Sequence, residues 1–370
     1  MRLSGRAFRC VLVGGVLALG CAAYFGGRHL WGAYQNWQAE HAIARRDFKD
    51  ATLHLHKAIT VSPRNSALRL KAARTARRRG DYHEAVEHLL VCEQAKEETE
   101  AVALEYRLMQ LQEGHLSSAK ELLASCREAT DTPETPLILE AYLDGVLKVL
   151  TRDLGEDAVS SSIVSLPEYV DACWAADLWL ERCPAPADQA QGLVWRGRLS
   201  GMASDHRRAV TDLRRALELD PDSFQARWYL AAMIAQEDPA DAESHLRILL
   251  ERYPDNMDLR VQLARLYRNT GQMETARQML DQMLESHSKS GPLLLERGRV
   301  EVDDGKPDRA EPWLRKAEAI DPEKPELLLV LGQCMRLAGR AQDAQDYDLK
   351  YQRADADRKK RIQAKALTSR

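Results

Sequence analysis

At 370 residues and a formal charge of −3, the chain is longer than one hydrophobic core usually organises, which leaves several domains or an elongated repeat array. Apolar residues make up 45%, charged residues 29% and Phe, Trp and Tyr only 6%, a balance that favours helix throughout. The near-neutral charge speaks against a whole-chain field for nucleic acid, and the cysteines beyond the N-terminal segment (Cys92, Cys126, Cys173, Cys183 and Cys334) are odd in number and lack CxxC spacing, so they indicate neither a disulfide framework nor a zinc site.

The first element is apolar. Arg2, Arg6 and Arg9 precede an uncharged run of 18 residues, Cys10–Gly27. A helix of that length can just cross a hydrocarbon core of about 30 Å, so residues 1–31 are expected to form a signal-anchor or transmembrane segment. The arginines keep its N-terminal end cytoplasmic and place everything after Trp31 across the membrane, in the periplasm of a bacterial cell. Trp31, Tyr34 and Trp37 come next, at interfacial depth. The alternative is a cleaved signal peptide with a small-x-small site at Ala18-Leu19-Gly20, which would release a soluble secreted protein. Lipidation at Cys21 fits less well, because Ala18 stands where a larger aliphatic residue belongs.

A period of 34 residues governs most of the chain beyond the apolar run. A small residue recurs at Ala51, Ala85 and Ala119, then at Ala209, Ala242, Ala276, Ala310 and Ala344. Glycine keeps the same interval at Gly80 and Gly114, and again at Gly271, Gly305 and Gly339. Periods of 20–50 residues signal stacked supersecondary units, each with an apolar face that only its neighbour can cover. Eight units are recognisable between Gln35 and Tyr351: about three in residues 32–129 and about five in residues 190–352. Between them, over residues 130–189, the interval is lost. Two helical stretches remain there, Leu137–Leu150 and Glu168–Cys183, joined by a Ser- and Gly-containing linker, and they read as an atypical hairpin. Asp348 and Tyr351 make the last unit polar, as the end of a stack requires. Residues 353–370 form a basic tail, with seven basic against two acidic residues.

The unit Leu294–Pro322 shows the pattern best. Leu294, Arg297-Gly298 and Glu301 mark a first helix, Gly305 a turn, and Ala310, Leu314 and Ala317 one face of a second helix that stops at Asp321-Pro322. This resembles the tetratricopeptide repeat, and neighbouring units match at Leu263-Ala264, Tyr267 and Ala276 and at Leu331-Gly332, Gly339 and Ala344. The resemblance implies an all-α, right-handed superhelical solenoid of antiparallel hairpins that is not an enzyme and binds a protein or peptide on its concave face. That face would be lined by the first helix of each hairpin. Just after the small residue of that helix stand Arg74, Arg198, Arg265 and Arg299. Trp195 and Trp228 lie on first helices of the same C-terminal block, with Arg268 and Arg336 one turn along. Forked guanidinium donors suit an acidic or C-terminal-carboxylate segment. The Lys/Asn carboxylate clamp of chaperone-binding members is not matched; the corresponding positions hold Asn36, Glu40, Leu70 and Arg74.

Chemistry finds little purchase elsewhere. His83-Glu84 and Glu87-His88 form an HExxxH string, in which the two histidines diverge by about 140° instead of sharing a helix face. His54 and His56 also diverge. No catalytic residue, metal ligand or cofactor is expected, no nucleic acid and no small-molecule substrate. Arg69–Arg79, with six basic residues, lacks the interleaved aromatics of a nucleic-acid face. The residues thus point to a membrane-anchored interaction scaffold. An accessory subunit of a membrane-associated enzyme or export/assembly complex, and a secreted scaffold, are its alternatives.

Overall fold

The computed structural model describes residues 26–96, 99–129, 131–154 and 163–368. Among them the only regular structure is helical. Residues 1–25 of the expected membrane segment lie outside the described residues, as do residues 155–162 of the expected linker. No described helix is long and apolar enough to cross a membrane. The chain divides into two compact units: residues 1–146 with 182–188, and residues 147–181 with 189–370.

The first unit holds α1 (residues 26–44), α2 (Phe48–Val61), α3 (Ser66–Arg79), α4 (Tyr82–Ala95), α5 (Thr99–Glu113), α6 (Ala119–Glu128) and the first part of α7 (Thr135–Leu154). Its helix starts are written in capping residues. The side chains of Asp47, Asn65 and Asp81 each accept a hydrogen bond from the backbone N–H three residues on, satisfying a donor that the first turn leaves open. Gly80 ends α3 at φ +83°, a left-handed conformation that a side chain would strain, and this is what the periodic glycines supply. Ala51 and Ala85 are fully buried, and Ala119 nearly so, where paired helices approach.

Where the 34-residue interval is lost, buried charge takes over. Glu140 of α7 is 1% exposed and accepts from Arg46 Nη2 at 2.6 Å and Arg78 Nε at 2.7 Å, while Arg46 Nη1 reaches Asp188 at 3.1 Å. Burial alone would raise the Glu140 carboxyl, but Arg78, Arg46 and Arg77 hold it down to about 2. Arg77, itself buried, donates to Glu105 at 2.9 Å and to Gln112 at 3.0 Å.

The second unit contains the end of α7, α8 (Pro167–Arg182) through residue 181 and α9 (Pro186–Met202) from residue 189, then α10 (His206–Leu219), α11 (Phe224–Ile234), α12 (Pro239–Arg252), α13 (Met257–Asn269), α14 (Met273–Ser286), α15 (Gly291–Asp303), α16 (Pro307–Glu318), α17 (Pro325–Leu337) and α18 (Ala341–Thr368). From α9 onward these pair as hairpins around one continuous core that runs from Leu193 to Tyr347. Close approach explains its glycines: a Cβ at Gly197 would stand 3.0 Å from Leu213, and one at Gly298 would overlap Leu314. Residues 353–368, expected as a separate tail, are helical and continue α18, because nothing after Asp348 breaks the helix.

Candidate binding groove

Four consecutive first helices of the second unit, α9, α11, α13 and α15, line one cavity of about 580 Å³. Its floor includes Gly197, Leu213 and Leu246, and its charged lining is Arg198, Arg265, Arg268 and Arg299, beside Trp228 and Tyr229. The stacking that buries the alanines therefore also brings one arginine after another to the same wall.

The arginines are unequally occupied. Arg265 and Arg299 share one carboxylate, Glu296, at 3.0 Å and 3.1 Å; Glu296 is only 2% exposed. Arg268 pairs with Asp303. Arg198 has no carboxylate partner among the described residues; its guanidinium lies 4.5 Å from the centroid of the Tyr229 ring, and its Nε is buried without a hydrogen-bond partner. Four guanidiniums thus face two carboxylates, and the surplus cation sits on an aromatic platform. An anionic group entering the cavity meets a cation that need break no existing pair.

Five of the eight expected binding residues line this cavity: Arg198, Trp228, Arg265, Arg268 and Arg299. Arg74 belongs to the first unit, where it donates to buried Glu105 at 2.8 Å. Arg336 is held by Asp348 through two contacts of 2.9 Å and 2.7 Å, outside the groove. Trp195 corrects the expectation. It is fully buried, edge-on to Trp179 of α8 with ring centroids 5.1 Å apart, because α8 covers that side of α9. Tyr229 and Glu296 were not anticipated; both become legible only once α9 lies beside α11 and α13 beside α15.

In the first unit His56, Glu84 and His88 bring ligand atoms within 4.8 Å of one another. The pair that shares a face of α4 is Glu84 and His88, four apart, and α2 supplies His56 across the interface at 2.7 Å from Glu84. The donor set nevertheless does not suit a metal. Arg69 Nη1 lies 3.0 Å from His88 Nδ1, and because a guanidinium only donates, Nε2 must carry the ring proton and has no lone pair to offer. Burial, then the Arg69 charge, lowers His88 below the ordinary imidazole value. The second unit repeats the arrangement without the second histidine: Arg227 donates to His245 Nδ1 at 3.1 Å, His245 faces Asp241 at 3.5 Å, and Arg214 stands where His56 stands, 3.5 Å from Asp241. In both units Arg69 and Arg227 also bond the carbonyl of the proline six residues earlier, Pro63 and Pro221. The cluster is a repeat-to-repeat polar clasp.

Residues 233–295 match one tetratricopeptide repeat profile, and residues 197–237 and 295–359 match a second, which supports the tetratricopeptide repeat as the building unit of the array. Similar solved structures include a tetratricopeptide repeat protein from Parabacteroides merdae, 18% identical, with 83% of this chain and 99% of that chain covered and a TM-score of 0.43. A thermophilic tetratricopeptide repeat protein of Thermus thermophilus is 25% identical over 48% of this chain and 99% of its own, with a TM-score of 0.41. The type IV pilus biogenesis factor PilW is 18% identical over 56% and 92%, with a TM-score of 0.44. The comparison with curated proteins gave no match.

Proposed function

We propose that the chain is a scaffold whose second unit holds an acidic segment of a partner protein along α9, α11, α13 and α15. Tetratricopeptide repeats generally mediate protein binding, which supports the scaffold reading. The acidic character rests on one observation, the four guanidiniums on one cavity against two carboxylates, with Arg198 without a carboxylate partner among the described residues. Stacked first helices are ordered before binding, so the receptor loses little conformational freedom on association. Arginine adds a planar fork that can take a carboxylate with two parallel hydrogen bonds.

The same proposal places the scaffold on a membrane through Cys10–Gly27, with the repeats beyond it. The support is the uncharged length of that run and the arginines before it. The test is photo-crosslinking from the groove in intact membranes, comparing the native chain with Arg198→Glu. This substitution breaks no ion pair among the described residues, whereas reversing Arg265 or Arg299 would set a second carboxylate beside buried Glu296. Loss of the crosslinked partner with Arg198→Glu supports the reading; an unchanged partner set refutes it.

A further inference from the structure

Within the array, a first helix is covered by the hairpin before it as well as by its own partner: α11 packs on α10 and α12, α13 on α12 and α14, and α15 on α14 and α16. The helix α1 stands differently. Its packed side is small and polar. Gly32 lies against Val61, Gln35 meets His54 at 2.6 Å, Ala39 and Ala42 are buried, and Glu40 reaches Lys71 of α3. On the opposite side Leu30, Tyr34 and Trp37 are 74%, 53% and 48% exposed, and Trp31, on the flank between the two sides, is 43% exposed. Three of them, with His41, keep to the helical repeat closely enough to form one stripe. Tyr34 stacks on Trp37 at 6.0 Å, and the His41 ring lies tilted against Trp37 at 3.9 Å. The last helix, α18, is exposed instead through Gln342, Gln345, Asp346 and Lys350, with Leu349 the exception. A stack end normally turns a polar face outward, and α1 does the reverse.

What distinguishes a covering by lipid is the chain's own continuity. The described helical residues start at 26, within the uncharged run Cys10–Gly27, and the stripe starts at Leu30. Trp and Tyr, with apolar rings and polar tips, are the residues that settle at a membrane–water boundary. From Leu30 to Trp37 the helix rises about 10 Å. Each headgroup zone is only about 5–8 Å deep, so a helix leaving along the membrane normal would carry Trp37 out into water. A tilted helix keeps the whole stripe in the zone.

We infer that α1 leans on the bilayer surface with Leu30, Trp31, Tyr34 and Trp37 among the headgroups, so that the first hairpin docks against the membrane that holds the chain. The inference rests on the membrane-anchored reading. The test reconstitutes the full chain into vesicles of phosphatidylcholine and phosphatidylglycerol, with and without lipid brominated at acyl carbons 6 and 7. Tryptophan fluorescence of the native chain is compared with that of Trp31→Phe/Trp37→Phe. Both positions are exposed, so the double variant keeps its fold, which circular dichroism checks. The expected result is co-flotation of both chains, with quenching by brominated lipid in the native chain and loss of most of it in the variant. Co-flotation with equal quenching in the two chains overturns the inference while leaving the anchor standing. Crosslinking of the stripe to a second copy or another protein in the same vesicles overturns it as well. A chain that does not co-float overturns the anchor, and this inference with it.

Discussion

Replacing Glu140 with glutamine isolates the charge on which the aperiodic part of the first unit depends. The isostere keeps the volume of a side chain 1% exposed but leaves Arg46 and Arg78 facing each other without their shared anion. The carboxyl is held at about 2 against an ordinary 4.5, so by linkage its charge contributes about 3 kcal/mol in the native state. Breaking a buried pair from one side costs a similar amount, about 3–5 kcal/mol. For a unit of this size that is a fall in Tm of roughly 6–12 °C at neutral pH. The depressed value sets the sign of the pH dependence. The contribution is fully present above the unfolded carboxyl value and is lost as pH falls through 4.5 toward 2. Thermal melts of the full chain and of Glu140→Gln, monitored by circular dichroism from pH 7 to pH 3, read both effects. A gap of under about 1 kcal/mol at pH 7, or one that does not narrow on acidification, would refute the buried-charge account.

Two glycine substitutions grade the packing. Gly298→Ala drives a Cβ into the Leu314 side chain, and a loss of about 1–3 kcal/mol in urea unfolding is expected. Gly145→Ala drives it into the Leu111 carbonyl, which no rotamer can relieve, so this variant should lose more; a neutral result at both positions would remove close helix approach as the reason for these glycines. Zinc added to the chain should raise its Tm no more than it raises that of His56→Ala, since His88 presents a protonated Nε2. A rise confined to the native chain would show that the clasp binds metal after all.

The alanine and glycine interval carried most of the fold. A small residue at a fixed spacing states where two helices touch, and that is local information repeated many times, as at Ala209 to Ala344 in the second unit. The groove was partly legible for the same reason: Arg198, Arg265 and Arg299 hold equivalent positions on α9, α13 and α15, about two intervals and one interval apart, and so reach one wall. Trp195 was misplaced because the helix that buries it, α8, lies in the stretch where the interval is lost. Glu140 was invisible as a structural residue, since its partners Arg46 and Arg78 are 94 and 62 residues away. The His56–Glu84 contact escaped for a similar reason. Spacing within α4 drew attention to His83, while the actual neighbour arrives from α2.

On the proposed function, the groove of the second unit takes an acidic segment through Arg198. Fluorescence anisotropy of a labelled Asp/Glu-rich peptide, titrated with the full chain in detergent, tests it directly. The expected result is saturable binding that weakens with salt and falls at least about tenfold, or 1.4 kcal/mol, in Arg198→Glu, while a Lys-rich peptide of equal length does not bind. Equal affinity of the native and Arg198→Glu chains for the acidic peptide, or a preference for the basic one, would contradict it.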